Sequence, residues 1–150
     1  WADPQHASSV APGKRPRLTP NPALAVRDGC FIMPFGTPGG DVQCQAMLQT
    51  LLNTFVFGMN LQAAVEAPRL AIHNSPDSFE PHDAFPSRLS LEGRFAQGTA
   101  EALAERGHDI HVWPDWTWQA GAVCALRHDL KRGTLEGAAD PRRQGYVAGW

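Results

Sequence analysis

Residues 30–59 read CFIMPFGTPGGDVQCQAMLQTLLNTFVFGM, and this stretch decides the fold. The apolar run Cys30–Phe35 is long enough for a strand and too short for a helix. Glycine and proline break the run at residues 36–41, and helical spacing then takes over along an apolar stripe. The stripe contains Cys44, Met47, Leu48, Leu51, Leu52, Phe55 and Val56. The pattern predicts a strand, a glycine turn and a long buried helix with Gly58 as its C-cap.

The glycine pair Gly39-Gly40, just before the predicted helix, has two interpretations. Two consecutive residues without side chains let backbone N–H groups approach a ligand oxygen, with the positive end of the helix dipole behind them. Such a nest suits a carboxylate, a phosphate or the oxyanion of an acyl-transfer intermediate. Alternatively, the glycines serve only the dihedral angles of a tight turn. The spacing is not G-x-G-x-x-G and no Gly-Lys-Ser/Thr follows, which excludes the two common nucleotide-binding loops.

The composition is that of an ordinary globular chain of 150 residues, with 43% hydrophobic and 19% charged side chains. This length allows one domain with a real core. The net charge is -2 and the most basic run is residues 13–17, so we expect no nucleic-acid partner. No apolar stretch approaches the roughly 18 residues of a membrane span, and no span is predicted.

Cysteine and histidine patterns argue against a disulfide framework and against a metal site. The three cysteines, Cys30, Cys44 and Cys124, are an odd number, and two lie in apolar patterns. We therefore predict buried free thiols, which leave both the periplasm and the cytoplasm open as compartments. The nearest thing to a metal-binding cluster is Glu80, His82 and Asp83 in a loop, without ligand-type spacing on one element. No metal and no cofactor are predicted.

The rest of the chain predicts short strands combined with two or three helices. Residues 1–22 are rich in proline and predict an extended arm that cannot hold a helix. Ala23–Val26 is predicted to pair with Cys30–Phe35 in a hairpin. Further strands are predicted at 69–73, 88–91, 110–113, 122–126, 134–139 and 146–148, and shorter helices from the cap Asn60 to Pro68 and from Phe95 to Gly107. Helices layered on sheet are the expected architecture.

Two loops carry side chains that invite a functional interpretation. Pro114–Trp118 is rich in tryptophan and indicates either packing of the loop onto its own domain or a ligand wall or subunit contact. Asp140-Pro141-Arg142-Arg143 begins with a good turn starter, and its arginines are expected to be solvated or paired. No Ser or Cys of the chain lies in a nucleophile motif, so the residues in hand contain no complete catalytic set.

Several stretches together resemble the gamma-glutamyltransferase (gamma-glutamyltranspeptidase) family. In the family's order they are residues 11–16 (APGKRP), 35–40 (FGTPGG), 57–60 (FGMN) with 67–69 (APR), and 137–143 (GAADPRR). They match the C-terminal part of the family's small subunit. The resemblance implies an α+β fold, the layered αββα sandwich of N-terminal nucleophile hydrolases, of which this chain is only a part. It divides the chain into the arm, 1–22, and the small-subunit region, 23–150.

The resemblance also implies roles for particular residues. Gly39 and Gly40 match the pair that supplies the oxyanion hole in the family. Thr19, within Arg17–Pro20, stands where typical members have a serine pair that helps hold the substrate carboxylate. Leu18 replaces the other hydroxyl with an apolar side chain. This departure points away from glutathione and toward acylases of other amides, such as the cephalosporin acylases.

The activity implied by the resemblance is the opening of a gamma-glutamyl or similar small-molecule amide through an acyl-enzyme. In the family a precursor cuts itself, and the new N-terminal Thr becomes the nucleophile with its own α-amine as base. That Thr precedes the matched region, so we expect residues 1–150 to be either a piece of a longer precursor or a degenerate relative. The expected partners are the upstream segment and the large subunit, and the chain alone is expected to be inactive. The alternative function is a non-catalytic binding or assembly domain that keeps only the glycine anion nest.

Overall fold

A computed structural model describes residues 1–16 and 18–149, and mixed sheets and helices form an α+β fold. Arg17, which begins the Arg17–Pro20 segment, and Trp150 lie outside the described residues. The strands are β1 (Ala23–Arg27), β2 (Phe31–Gly36), β3 (Leu70–His73), β4 (Phe85–Glu92), β5 (Asp109–Trp113), β6 (Cys124–Asp129) and β7 (Thr134–Ala139), and the α-helices are α1 (Gln43–Phe55), α2 (Leu61–Glu66) and α3 (Thr99–Ala104).

The large sheet has four strands in the order β1-β2-β6-β7, each antiparallel to its neighbours. The predicted hairpin between the first two strands is confirmed, with Val26 opposite Ile32. The strands predicted at 122–126 and 134–139 correspond to β6 and β7, which form a second antiparallel hairpin. Both hairpins turn at glycines with positive φ, Gly29 at 62° and Gly133 at 66°. Local sequence therefore fixes most of this sheet.

The small sheet has three strands in the order β3-β4-β5. The strands β3 and β4 are antiparallel, whereas β4 and β5 are parallel and are connected through α3. Strand β4 begins at Phe85, earlier than predicted, because its exposed first half pairs His73 with Phe85 across an irregularity in register. One edge of the sheet is closed by α1, since the amide of Gln49 both accepts from Leu70 N (3.0 Å) and donates to Leu70 O (2.9 Å).

The main core lies between the large sheet and the helices α1 and α2. Its buried residues are Met33, Phe35, Ala46, Met47, Leu61, Val65, Val123, Ala125 and Ala138. The predicted buried stripe of α1 is wrong in part, because only Met47 of that stripe is buried, whereas Cys44 is exposed and Leu48 is 56% exposed. The helix instead buries Thr50 and Thr54, whose hydroxyls donate to the backbone carbonyls four residues earlier and so enter the core without an unmet hydrogen bond.

The structure corrects or qualifies four further predictions. The cysteines are free, as predicted, but none is buried: Cys44 and Cys124 are exposed and Cys30 is half-buried. Residues 146–148 form no strand, and Val147 instead contacts the large sheet over Gly137. Gly58 adopts a positive φ of 70° but lies beyond the cap of α1, which is Val56. In the arm, residues 1–16 and 18–22 contain turns and no helix or strand.

Candidate functional site

The glycine turn lies where the large sheet ends and α1 begins. Strand β2 ends at Gly36, and a single 3-10 turn at Gly40–Val42 leads directly into the helix. Gly39 has φ 135° and Gly40 has φ 58°, conformations that L side chains rarely adopt. A Cβ on Gly40 would lie 2.8 Å from Cε2 of Phe79. Glycine is therefore required at both positions by the backbone path, and at the second also by space.

The two glycine amides are the groups that this turn offers to a ligand. Among the described residues, neither the Gly39 N–H nor the Gly40 N–H donates a hydrogen bond. Both residues line a cleft of about 790 Å³. A tight turn accounts for the dihedral angles of the glycines but leaves the two donors unused beside an open space. The geometry is compatible with the anion-nest interpretation.

The cleft runs from the glycine turn to one face of the small sheet. Its lining includes His73, Arg88, Ser90, His111, Trp118 and Arg143. His73 Nε2 and Ser90 Oγ are 3.0 Å apart, and Ser90 is almost fully buried. Burial lowers the pKa of His73 from its ordinary value, and the positive charge of Arg88 lowers it further. At neutral pH the ring is therefore an uncharged hydrogen-bonding group in the wall of the cleft.

A loop that contains Ser78 and Phe79 is attached to the glycine turn. The carboxylate of Asp41, the residue after the glycine pair, accepts from Ser78 N at 2.6 Å and also from Ser78 Oγ. This attachment places the Phe79 ring against Gly40. Phe79 also lines a second cavity, of about 560 Å³. The ring therefore lies between two cavities.

The structure does not bring Thr19 into the cleft that contains the glycine pair. Thr19 lines the second cavity, together with Lys14, Arg15, Ser8 and Ser9. The lining of this cavity carries two basic side chains and several hydroxyls and no acidic side chain among the described residues, a composition suited to a carboxylate. Two sequence-predicted sites thus occupy neighbouring cavities on either side of Phe79.

A buried ionic cluster joins the two sheets. The sequence pointed to Asp140 and Arg142 of this cluster, but not to Glu92. Arg142 binds Glu92 through Nε (2.7 Å) and Nη2 (2.5 Å), and its Nη1 lies 3.0 Å from Asp140 Oδ1. Asp140 in turn lies 2.6 Å from Arg69 Nη2, and Glu92 accepts from Arg94 at 3.0 Å. The sequence left open whether Arg142 is solvated or paired, and the structure shows that it is paired. Its burial in the core was not predicted.

The charges of this cluster compensate one another in the protein interior. Burial lowers the pKa of Arg69, although the charge of Asp140 opposes this. Burial acts in the same direction on Arg142, but its hydrogen bonds with Glu92 and the charge of Asp140 raise its pKa overall. Arg69 could have been suspected from its place in the APR stretch. Glu92, at the end of a strand, carries no signal in the sequence.

For the tryptophan-rich loop, the sequence left open packing onto its own domain and a role as a ligand wall or subunit contact. Trp113, just before Pro114, is buried in the small core with Ala71 and Ala120. Trp116 packs under the Arg94 guanidinium at 3.5 Å, and Trp118 is 64% exposed in the wall of the cleft. The loop therefore packs onto its own domain and also contributes a wall to a candidate binding site.

His82 Nε2 lies 2.9 Å from Glu80 Oε2 in the loop that was considered for a metal. Residues 1–16 and 18–149 contain no group of three or more potential ligands placed to hold an ion. No helix in the described part of the chain has the length and apolar character needed to cross a membrane.

Known proteins share both the sequence and the fold of this chain. The oxamate amidohydrolase proenzyme of Klebsiella pneumoniae is 38% identical over 99% of the chain and 27% of that protein. The glutathione hydrolase proenzyme of Bacillus subtilis is 32% identical over 99% of the chain and 23% of that protein. The chain spans about a quarter of the length of these relatives.

Solved structures confirm the α+β fold. The cephalosporin acylase of Bacillus halodurans superposes with a TM-score of 0.74 at 31% identity, covering 99% of this chain and 25% of that chain. The gamma-glutamyltranspeptidase of Pseudomonas nitroreducens superposes with a TM-score of 0.72 at 26% identity, covering 97% and 69% of the two chains. The family model described as gamma-glutamyltranspeptidase matches residues 1–150. The chain therefore belongs to the gamma-glutamyltranspeptidase family, as the resemblance of its motifs predicts.

Proposed function

We propose that this chain supplies the oxyanion hole of an acyltransferase or amidohydrolase that opens a gamma-glutamyl or similar amide through an acyl-enzyme. The observation that carries the proposal is the pair of adjacent amides of Gly39 and Gly40 beside the cleft, which donate no hydrogen bond within residues 1–16 and 18–149. The family consists of enzymes of this general kind, since the relatives are named as hydrolases, amidohydrolases and acylases. In this proposal the glycine nest is the part of the described residues that acts on the reacting carbonyl group.

The nucleophile in this proposal is an N-terminal Thr outside residues 1–150, produced by self-cleavage of a precursor. Its Oγ attacks the amide carbon while its α-amine takes the hydroxyl proton. The carbonyl oxygen then carries the negative charge, and the Gly39 and Gly40 amides donate to it. Collapse of the intermediate breaks the C–N bond of the substrate. The leaving amine takes the proton from the α-ammonium group of the Thr, and an ester remains on the Thr Oγ. Water or a second amine then attacks the ester and releases an acid or a new amide.

Thr19 is proposed to hold a carboxylate of the substrate in the second cavity, with Lys14 and Arg15 nearby. Leu18 offers no second hydroxyl, so the donor differs from the glutathione of typical members. The relatives include an oxamate amidohydrolase and an acylase, so oxamate and acylase-type amides are the donors to test. A panel of a gamma-glutamyl anilide, oxamate and a glutaryl amide, offered to the complete precursor, distinguishes among these substrate classes.

The test of the oxyanion hole is Gly40→Ala in the complete processed protein. The new Cβ would meet Phe79 at 2.8 Å in a backbone conformation that disfavours alanine. Loss of one oxyanion donor typically lowers kcat by about 100- to 1000-fold, and we expect a fall approaching this range. The matched control is Gly133→Ala, which has a similar φ of 66° but meets nothing within 4 Å. Full activity of Gly40→Ala would exclude the proposed role.

The alternative, a non-catalytic domain that keeps the nest as an anion site, predicts a different outcome. The processed wild-type protein would then bind small carboxylates without turning over any amide of the panel. Sequencing of the coding region before residue 1 is the first discriminating experiment, because the catalytic proposal requires an in-frame Thr at a small-subunit start.

A further inference from the structure

Thr37, between β2 and the glycine pair, makes two hydrogen bonds through one hydroxyl. Its Oγ1 accepts from Ala122 N at 2.7 Å and donates to Pro38 O at 2.7 Å. The hydroxyl therefore connects the 120–123 segment to the backbone of the glycine turn. No catalytic or binding role was predicted for Thr37 or for the 120–123 segment.

The bond to Pro38 O bears directly on the Gly39 amide. The Pro38 carbonyl and the Gly39 N–H belong to one planar peptide group, in which the C=O and N–H bonds point in opposite directions. A group that fixes the carbonyl thereby fixes the direction of the N–H. Thr37 is not among the residues that line the cleft, and it thus orients the first of the two amides that donate no hydrogen bond among the described residues.

Gly121 brings the second segment close enough for this arrangement. It has φ 83°, and a Cβ at this position would lie 2.7 Å from Thr37 Oγ1 and 3.2 Å from Pro38 O. On the other side, a Cβ on Gly39 would lie 3.4 Å from the Gly121 Cα. The two backbones therefore approach each other at a distance that only glycine at 121 allows.

The 120–123 segment is itself anchored in the buried ionic cluster. Ala120 O accepts from Arg69 Nη1 at 3.1 Å, and Val123 N donates to Asp140 Oδ2 at 3.0 Å. Ala120 and Val123 are fully buried. The segment is thus held on both sides of Gly121 and provides a fixed reference against which Thr37 orients the turn.

We propose that Thr37 and Gly121 are positioning residues that orient the Gly39 amide toward the oxyanion of the reaction intermediate. This inference rests on the proposed function for its catalytic consequence, although the orientation of the amide can be measured without it. An oxyanion donor acts when charge develops in the transition state and much less in the bound substrate. Loss of the Thr37 hydroxyl, or of the close approach at Gly121, should therefore lower kcat while leaving KM nearly unchanged.

The decisive comparison is Thr37→Val against Thr37→Ser in the complete processed protein. Valine keeps the shape of the side chain but lacks the hydroxyl, whereas serine keeps the hydroxyl. We expect kcat of Thr37→Val to fall about tenfold or more with KM within twofold of wild type, and Thr37→Ser to retain most of the activity. Equal kcat for Thr37→Val and wild type, or equal losses in both variants, would overturn the proposal.

A second pair of variants tests the proposal even if Thr37→Val fails to fold. Gly121→Ala should reproduce the fall in kcat, because its Cβ would displace Thr37 Oγ1. Gly133→Ala, with a positive φ and open surroundings, should not. Processing and thermal unfolding are measured for every variant. If the thermal stability of Thr37→Val and Gly121→Ala falls in proportion to kcat, Thr37 and Gly121 have a structural role only, and the proposal is overturned.

Glycine-selective heteronuclear NMR separates failure of this inference from failure of the proposed function. The Gly39 amide resonance should shift in Thr37→Val but not in Thr37→Ser, because only the valine variant loses the hydrogen bond to Pro38 O in the same peptide group. If the wild-type protein turns over no amide while the resonance responds in this way, the proposed function fails and the positioning stands. An unchanged Gly39 resonance in Thr37→Val refutes the positioning whether or not the protein is an enzyme.

Discussion

At the scale of single residues, the cleft is notable for a histidine whose pKa is depressed beside a nearly buried serine. His73 lies 3.0 Å from Ser90 Oγ and meets Trp113 edge-on. Arg88 and His111 oppose its protonation, whereas Asp77 favours it. Desolvation is the largest of these effects and sets the direction of the shift. The folded protein therefore prefers the neutral ring.

This preference predicts a dependence of stability on pH. Because the pKa of His73 is lower in the folded protein than its ordinary value of 6.5, the unfolded chain binds the proton more tightly. The free energy of unfolding should fall as the pH drops through 6.5 and level off below the folded pKa. His73→Gln, which can keep a hydrogen bond with Ser90, should reduce this fall in thermal unfolding of the complete protein. Replacement of the exposed His108 by Gln is the control, and an equal effect of both substitutions would contradict the prediction.

At the scale of elements, polar side chains join the helices to the sheets. Gln45 and Gln49 of α1 each form a pair of hydrogen bonds with the backbone of β3, at Ile72 and Leu70. Gln62 of α2 does the same at Ala139 of β7. A carboxamide can both donate and accept, so it pairs with a strand edge as another strand would. These helices thus close backbone edges as well as covering apolar faces.

The ionic cluster is the other connection between elements, and it should be costly to break. Glu92 is fully buried and receives hydrogen bonds from Arg142, Arg94 and the Arg69 backbone. Glu92→Gln would leave Arg94 without its charge partner and Asp140 as the one remaining carboxylate for Arg69 and Arg142 in the cluster, which we expect to destabilise the protein by about 3–5 kcal/mol. Denaturant unfolding measures the loss.

The control for this change is Glu136→Gln, which removes the partner of Arg127 from a part-exposed pair on the large sheet. Such pairs contribute about 0–1 kcal/mol. Comparable losses in the two variants would show that the cluster is no more important than a surface ion pair. Equal stability of Glu92→Gln and wild type would contradict the prediction outright.

At the scale of the whole molecule, the large sheet buries one face and leaves the other exposed. The exposed face is strongly apolar, with Leu24, Val26, Ile32, Leu126 and Leu135 all open to solvent. The outer side of α1 adds Leu48, Leu52, Phe55 and Val56. Apolar surfaces of this kind mark sites of association. Within the family assignment, we expect the upstream segment and the large subunit to cover them.

Val26→Lys tests this expectation. The substitution should reduce binding of a hydrophobic dye to chain 1–150 and should impair assembly of the complete protein, because it places a charge on the covered face. Val10→Lys, on the exposed arm, should change neither property. A monodisperse monomer of 1–150 with a cooperative melt and little dye binding would argue against the expectation.

We also predict that chain 1–150 by itself hydrolyses no amide. Among the described residues, no side chain accepts a hydrogen bond from the first hydroxyl, Ser8: the nearby His6 Nδ1 accepts from the Ser8 backbone N–H at 3.0 Å, and the His6 ring stacks on Trp1. An oxyanion hole acts only on an intermediate that a nucleophile has created. Addition of the upstream polypeptide should give turnover of the amide panel. Turnover by purified 1–150 that disappears in Ser8→Ala would refute this prediction.

The sequence alone determined those features that depend on near neighbours in the chain. The hairpin of β1 and β2 follows from alternating apolar residues around a glycine turn, and the break at Gly39-Gly40 follows from glycine's access to positive φ. The family could also be identified from its motifs, because these are contiguous stretches. The expectation of helices layered on sheet followed from local patterns, and the resemblance to the family implied the α+β class.

Only the tertiary structure decided which surfaces are covered and which distant side chains meet. Periodicity places Leu48 and Met47 on one stripe, but the large sheet covers only part of it, so the first is exposed and the second buried. Glu92 and Arg142 are 50 residues apart, and Ala122 meets Thr37 across 85, so no local pattern could indicate these contacts. Thr19 and the glycine pair, to which the resemblance gives roles in one active site, line separate cavities, since the attachment of Ser78 to Asp41 places Phe79 between them. Such contacts depend on how the sheets, helices and loops pack, and packing is a property of the folded chain as a whole.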